Sequence, residues 1–109
     1  MIDIVKNNLQ RIQEVCKKHH VQSLYLFGSA VNATLYKPTS DIDFLYKIDI
    51  ENFNGWIDGE YDYTDNLMSL EKALTNLLNS KIDLVPDITI QNKYFKKSVE
   101  TTKQVIYEA

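Results

Sequence analysis

A chain of 109 residues with 12 basic and 15 acidic side chains carries a net charge of −3, and its 44% hydrophobic and 25% charged content is ordinary for a soluble globular chain. That balance argues against holding nucleic acid by neutralising its phosphates, and a core this small leaves no room for a deep two-domain cleft. A lone Cys16 excludes an internal disulfide, no apolar run approaches the ~18 residues of a membrane span, and no basic-then-apolar leader opens the chain, so the expectation is a single cytoplasmic domain over residues 1–109.

Residues 2–18 read as one amphipathic helix, because Ile2, Val5, Leu9, Ile12 and Cys16 recur at steps of three and four. Cys16 falls on that apolar stripe and reads as a buried, inert thiol. Lys17, Lys18 and His19 suit the carbonyl end of the helix dipole. With His20 they are expected on the surface and not as metal ligands. The other basic cluster, Lys93 with Lys96-Lys97, reads as a solvated face.

Ser23 to Phe27 is a continuous apolar run ending at Gly28, which predicts a strand buried on both faces. Asp41 to Ile48 predicts a second strand of mixed character. Residues 49–66 carry two glycines, many acids and several aromatics, and suggest an irregular surface excursion in which Trp56 closes the core or anchors a partner. Leu67, Leu70, Leu74, Leu77 and Leu78 predict a helix, with Asp65 or Ser69 as its N-cap. Lys81 to Val85 predicts a strand stopped by Pro86. The tail suggests a short helix with Tyr94, Phe95 and Val99 inward, then a strand at Val105–Tyr107.

The acids inside these strands are the chemical signal. Asp41 and Asp43, at i and i+2, project from one face of a strand roughly 7 Å apart at the backbone. Two carboxylates so close repel unless a cation lies between them or one is protonated, and all-oxygen ligation suits Mg²⁺. Gly28-Ser29 allows a sharp turn, and a short helix at Ala30-Val31-Asn32-Ala33 would add N–H groups able to meet phosphate. Asp83 sits among Ile82, Leu84 and Val85, which predicts an interior strand with one buried acid. Such an acid is normally paired, protonated or metal-bound. Were this strand beside that of Asp41 and Asp43, three carboxylates would converge.

Strand, GS, spacer, SDIDFL, helix and xIDLV together resemble the nucleotidyltransferase superfold of DNA polymerase β, and within it the minimal nucleotidyltransferase (MNT) family. The resemblance covers nearly the whole chain, since NKYFKKSVETTKQVIYE is also similar to the family's ending. It implies an α/β (α+β) fold, a small mixed β-sheet flanked by helices. Eleven residues, Ala30 to Ser40, separate Ser29 from Asp41, one more than is usual in the family. Carried over by position, Asp41 and Asp43 would coordinate two Mg²⁺ ions, and Asp83 would complete one metal site and help activate the attacking hydroxyl. Gly28 and Ser29 would hold the β- and γ-phosphates of ATP, the co-substrate, with Ser40 also counted as nucleotide-binding.

Proteins of the MNT family are commonly antitoxins paired with a HEPN-domain toxin, an RNase. The implied reaction is AMP transfer from ATP to a tyrosine hydroxyl of that toxin, in a hetero-oligomer, without direct nucleic-acid or membrane binding. The chain departs from the family at one place: where many members read GSRARG it has Ala30, Asn32 and Ala33, with Lys37 as a substitute cation in the longer loop. Two alternatives follow, an antitoxin that neutralises its toxin by masking alone and a nucleotidyltransferase for a small-molecule hydroxyl.

Overall fold

The computed structural model describes residues 1–32, 34, 36–37, 39–49, 63–87 and 103–109. The N-terminal apolar stripe is divided between two helices, α1 (Asp3–Asn7) and α2 (Leu9–Lys18), where the periodicity predicts one. They part at Asn8, whose backbone lies at φ −114°, ψ 14° and whose side-chain amide donates to the Ile4 carbonyl at 2.7 Å. An asparagine side chain competing for a backbone carbonyl offers the chain a local alternative to the helical ladder. The inward stripe survives the break. Ile12 N–H bonds the Asn8 carbonyl at 2.9 Å, and Ile2, Val5, Ile12 and Cys16 are all buried.

Four strands form one sheet among the described residues: β1 (Val21–Phe27), β2 (Ile42–Ile48), β3 (Ile82–Pro86) and β4 (Gln104–Glu108), in the order β3-β2-β1-β4. β1 runs antiparallel to β2 and to β4, whereas β2 and β3 are parallel. A parallel pair needs a crossover, and helix α3 (Tyr63–Leu78) lies in it. The helix starts at Tyr63, ahead of both Asp65 and Ser69, so neither expected N-cap holds. Its buried line is Asn66, Leu70, Leu74 and Leu78, one residue every four.

Alternation along the strands sorts the side chains. Leu24, Leu26, Ile42, Phe44, Tyr46, Ile82 and Ile106 join the buried helix residues in one core. On the opposite face Phe27 and Leu45 form a small second cluster with half-buried Tyr25 and Val85. β1 is therefore covered less completely than its apolar run implies, since Ser23 and Tyr25 keep part of their surface. β3 is a sheet edge among the described residues, and Asp83 is exposed, which corrects the expectation of an interior strand with a buried acid. A short apolar run reports what lies above and below a strand. It does not report whether a further strand pairs along its side.

His19 corrects another expectation. It is only 6% exposed, and its ring ties α2 to α3. Nδ1 lies 2.7 Å from the Val15 carbonyl, an oxygen that can only accept, so Nδ1 carries the proton. Nε2 lies 2.9 Å from the Ser69 hydroxyl, from which it accepts in the neutral ring, and the Asn66 amide donates to the His19 carbonyl at 2.8 Å. A basic residue at a helix end reads as solvated in the sequence because its partner lies 50 residues away. No helix among the described residues is long and apolar enough to cross a membrane. Trp56 and the tail helix expected around Tyr94, Phe95 and Val99 lie outside the described residues.

Candidate active site

The sheet's topology gathers the chemistry-bearing residues at one end. β1 arrives there as β2 and β3 leave it, so the register sets Phe27 beside Asp43 and Asp43 beside Asp83. Asp43 and Asp83 are cross-strand partners on the face turned away from the main core. Asp41 lies just ahead of β2, two residues before Asp43 and of the same parity. The adjacency that the sequence left conditional, β3 next to β2, is thus what the fold adopts.

Gly28 ends β1 at φ +73°, a conformation that L side chains rarely adopt, and its α-carbon is pressed against the acid. A Cβ built there would lie 2.5 Å from Asp43 Oδ2. The short helix expected at residues 30–33 is a single 3-10 turn at Gly28–Val31, beginning two residues earlier. Ser29 is half-buried, its carbonyl accepts the Asn32 N–H at 3.2 Å, and Ile2 N–H bonds the Ala30 carbonyl at 3.0 Å. The N-terminal segment therefore braces the turn from behind.

Asn32, at a position where many family members carry arginine, shapes the loop. Its Oδ1 accepts from the Thr34 N–H at 3.0 Å and from the Thr34 hydroxyl at 2.7 Å. Ser40 closes a second turn. Its N–H bonds the Lys37 carbonyl at 2.8 Å and its hydroxyl accepts the Lys37 N–H at 3.3 Å, delivering the chain into Asp41. Ser40 is half-buried and Lys37 exposed.

The electrostatics centre on Asp43. Burial pushes its carboxyl up to about 6, and the negative charges of Asp83 and then Asp41 add to the rise. Lys81 Nζ lies 3.9 Å from Asp41 Oδ2, with the lysine side chain 82% exposed and that of Asp41 39%. Among the described residues no three acid, thiol or imidazole groups are gathered into a ready-made metal cage. The donor chemistry nevertheless fits a hard divalent cation: three carboxylates with no sulfur or nitrogen ligand, and a repulsion at Asp43 that a cation would relieve. Sequence reasoning missed Lys81. Its signal is the parallel register, which puts the residue before Ile82 beside the one before Ile42, with Ile42 N–H on the Lys81 carbonyl at 3.0 Å.

A parallel βαβ unit with an acid pair opening one strand, an acid opening the next and a Gly-Ser turn facing both is the framework of a nucleotidyltransferase. Residues 10–109 match the family described as Polymerase beta, Nucleotidyltransferase, and the chain belongs to that family. A protein of Methanocaldococcus jannaschii, named as a candidate protein adenylyltransferase, is 33% identical over 102 residues, spanning 88% of this chain and 88% of the relative. The chain is thus a nucleotidyltransferase.

Solved structures agree on the fold. A structure described as a minimal nucleotidyltransferase superposes with a TM-score of 0.70 at 18% identity, covering 94% of this chain and 95% of the other. A toxin–antitoxin structure with AMP-PNP gives 0.63 at 21% identity, covering 94% and 74%. A tri-AMPylated HEPN toxin of Shewanella oneidensis in complex with its MNT antitoxin gives 0.59 at 19%, covering 95% and 72%.

Proposed function

We propose that this chain is an antitoxin-type protein adenylyltransferase, moving AMP from ATP to a tyrosine hydroxyl of a cognate HEPN-domain toxin within a hetero-oligomer. The observation that carries the reading is the register Phe27–Asp43–Asp83, which brings two acids and the Gly28-Ser29 turn to one sheet end, with Asp41 just ahead of β2. The candidate adenylyltransferase relative and the AMPylated HEPN toxin of a structural neighbour support a protein acceptor of this kind.

Asp41, Asp43 and Asp83 would hold two Mg²⁺ ions, which when bound supply Lewis-acid stabilisation of the entering oxygen and the departing pyrophosphate. The chain's own part is placement. Gly28, packed against Asp43 with no room for a side chain, brings the backbone of the turn close to the carboxylates, and Ser29 and Ser40 would supply hydroxyls to the phosphate oxygens. Asp83, exposed on β3, would meet an acceptor arriving from outside and take its phenolic proton. The tyrosine oxygen bonds to the α-phosphorus as the bond to the β-phosphate bridging oxygen breaks, and pyrophosphate leaves with that electron pair.

Intact-mass measurement tests this. The protein is mixed with Mg-ATP and the HEPN protein encoded beside its gene; the toxin is expected to gain one or more AMP units, with none gained under Asp43→Asn. Equal neutralisation by wild type and Asp43→Asn with no mass added sinks the transfer reading and leaves masking. That second reading is favoured by one observation, the turn's lack of basic side chains at Ala30 and Asn32. Asp83→Asn is expected to slow transfer and alter its Mg²⁺ dependence; an unchanged rate removes Asp83 from the site.

A further inference from the structure

The candidate site has a phosphate turn without a cation. Gly28 to Asn32 carries no basic side chain, and the Oδ1 of Asn32 is engaged by Thr34. A triphosphate carries several negative charges, and at least one basic side chain is usual where phosphates are held. Lys81 is the lysine that the structure sets against the site's carboxylates. Its backbone is locked in the β2–β3 ladder through its carbonyl, and its ammonium reaches Asp41 Oδ2 at 3.9 Å from a side chain that is 82% exposed. So exposed an ion pair adds little to the stability of the fold.

Its place in the sheet gives it a direction. The Gly28 turn is on β1, the acid pair enters β2, and Lys81 precedes β3, about two strand spacings or roughly 10 Å from β1. A nucleotide whose phosphate tail ends at the β1 turn and crosses the carboxylates presents its α-phosphate end toward β3. We propose that Lys81 is a nucleotide-positioning residue with two stations. In the empty site its ammonium offsets the charge of Asp41. When a divalent cation takes Asp41, the ammonium turns to the α-phosphate and supplies the charge that the turn lacks. The inference rests on the proposed metal and nucleotide roles of Asp41 and Gly28-Ser29.

Its test measures binding in the absence of any toxin, so that no turnover intervenes. Mn²⁺ affinity is read by electron paramagnetic resonance on the nucleotide-free protein, and Mg-ATP affinity by calorimetry. Lys81→Gln is expected to bind Mn²⁺ about threefold to fivefold more tightly, because a competing cation is gone, and Mg-ATP about fivefold more weakly. Lys81→Arg keeps both close to wild type, and Lys72→Gln, a surface change on α3, leaves both unchanged. If either affinity is unaltered in Lys81→Gln, the two-station role is overturned. If Lys37→Gln weakens Mg-ATP while Lys81→Gln does not, the missing charge comes from the loop. Asp43→Asn separates the premises: wild-type Mn²⁺ binding there defeats the site reading itself, whereas lost Mn²⁺ binding there with an indifferent Lys81→Gln defeats only the role of Lys81.

Discussion

Replacing Gly28 by alanine probes the closest approach in the candidate site, and the structure separates its cost into two parts. The backbone at φ +73° costs an L-residue about 1–2 kcal/mol wherever its side chain points. The added methyl would also lie 2.5 Å from Asp43 Oδ2 and 3.4 Å from its Cγ, about 1 Å inside ordinary contact, so the Asp43 side chain must leave its rotamer at a further cost of about 0.5–1.5 kcal/mol. Gly28→Ala alone is therefore expected to lose about 2–3 kcal/mol.

In an Asp43→Ala background only the Cβ remains, 3.6 Å from the new methyl, and just the backbone part persists. A double-mutant cycle should give a coupling of about 1 kcal/mol, read from urea unfolding of the four proteins in EDTA at neutral pH. If Gly28→Ala costs the same in both backgrounds to within about 0.3–0.5 kcal/mol, the turn does not press on Asp43 and the site geometry is misjudged.

Three further outcomes follow from the same structure. The folded protein holds the Asp43 proton more tightly than the unfolded chain does, about 6 against an ordinary 3.8. Ionising it costs nothing below about pH 4, erodes stability as pH rises through that window, and exerts its full effect above about 6. Asp43→Asn should therefore outlast wild type by about 1–2 kcal/mol at pH 7.5 in EDTA, a figure already discounted for partial solvation, and match it near pH 4; a gain equal at both pH values contradicts this. Ser69→Ala strips the donor from buried His19 Nε2 and should cost about 1–2 kcal/mol in urea unfolding, whereas no loss would mean that the α2–α3 tie is idle. Cys16 is fully buried and burial lifts its thiol to about 12, so a disulfide reagent at pH 8 should label it only at the rate of unfolding; fast labelling of the native protein refutes its burial.

The sequence by itself determined the elements and the chemistry available to them. Short apolar runs, bounded at Gly28 and Pro86, placed every described strand to within two residues, and the 3.6-residue period let the buried stripes Ile12–Cys16 and Leu70–Leu74–Leu78 be read directly, because a side chain's face follows from its spacing along the chain. The three acids and the Gly-Ser turn were legible for the same reason: charge and glycine are out of place in apolar runs.

What only the tertiary structure decided depends on partners distant in sequence. Asn8 is the local exception: its amide takes the Ile4 carbonyl and divides a helix that the stripe predicts as continuous. Ser69, 50 residues on, turns His19 from a surface base into a buried tie. Among the described residues strand order makes β3 an edge and Asp83 is exposed, and the parallel register sets Lys81 beside Asp41. An apolar run encodes burial of two faces, but pairing is fixed by which strand α3 returns to. That return makes Asp43 and Asp83 neighbours and draws the acids to one end of the sheet.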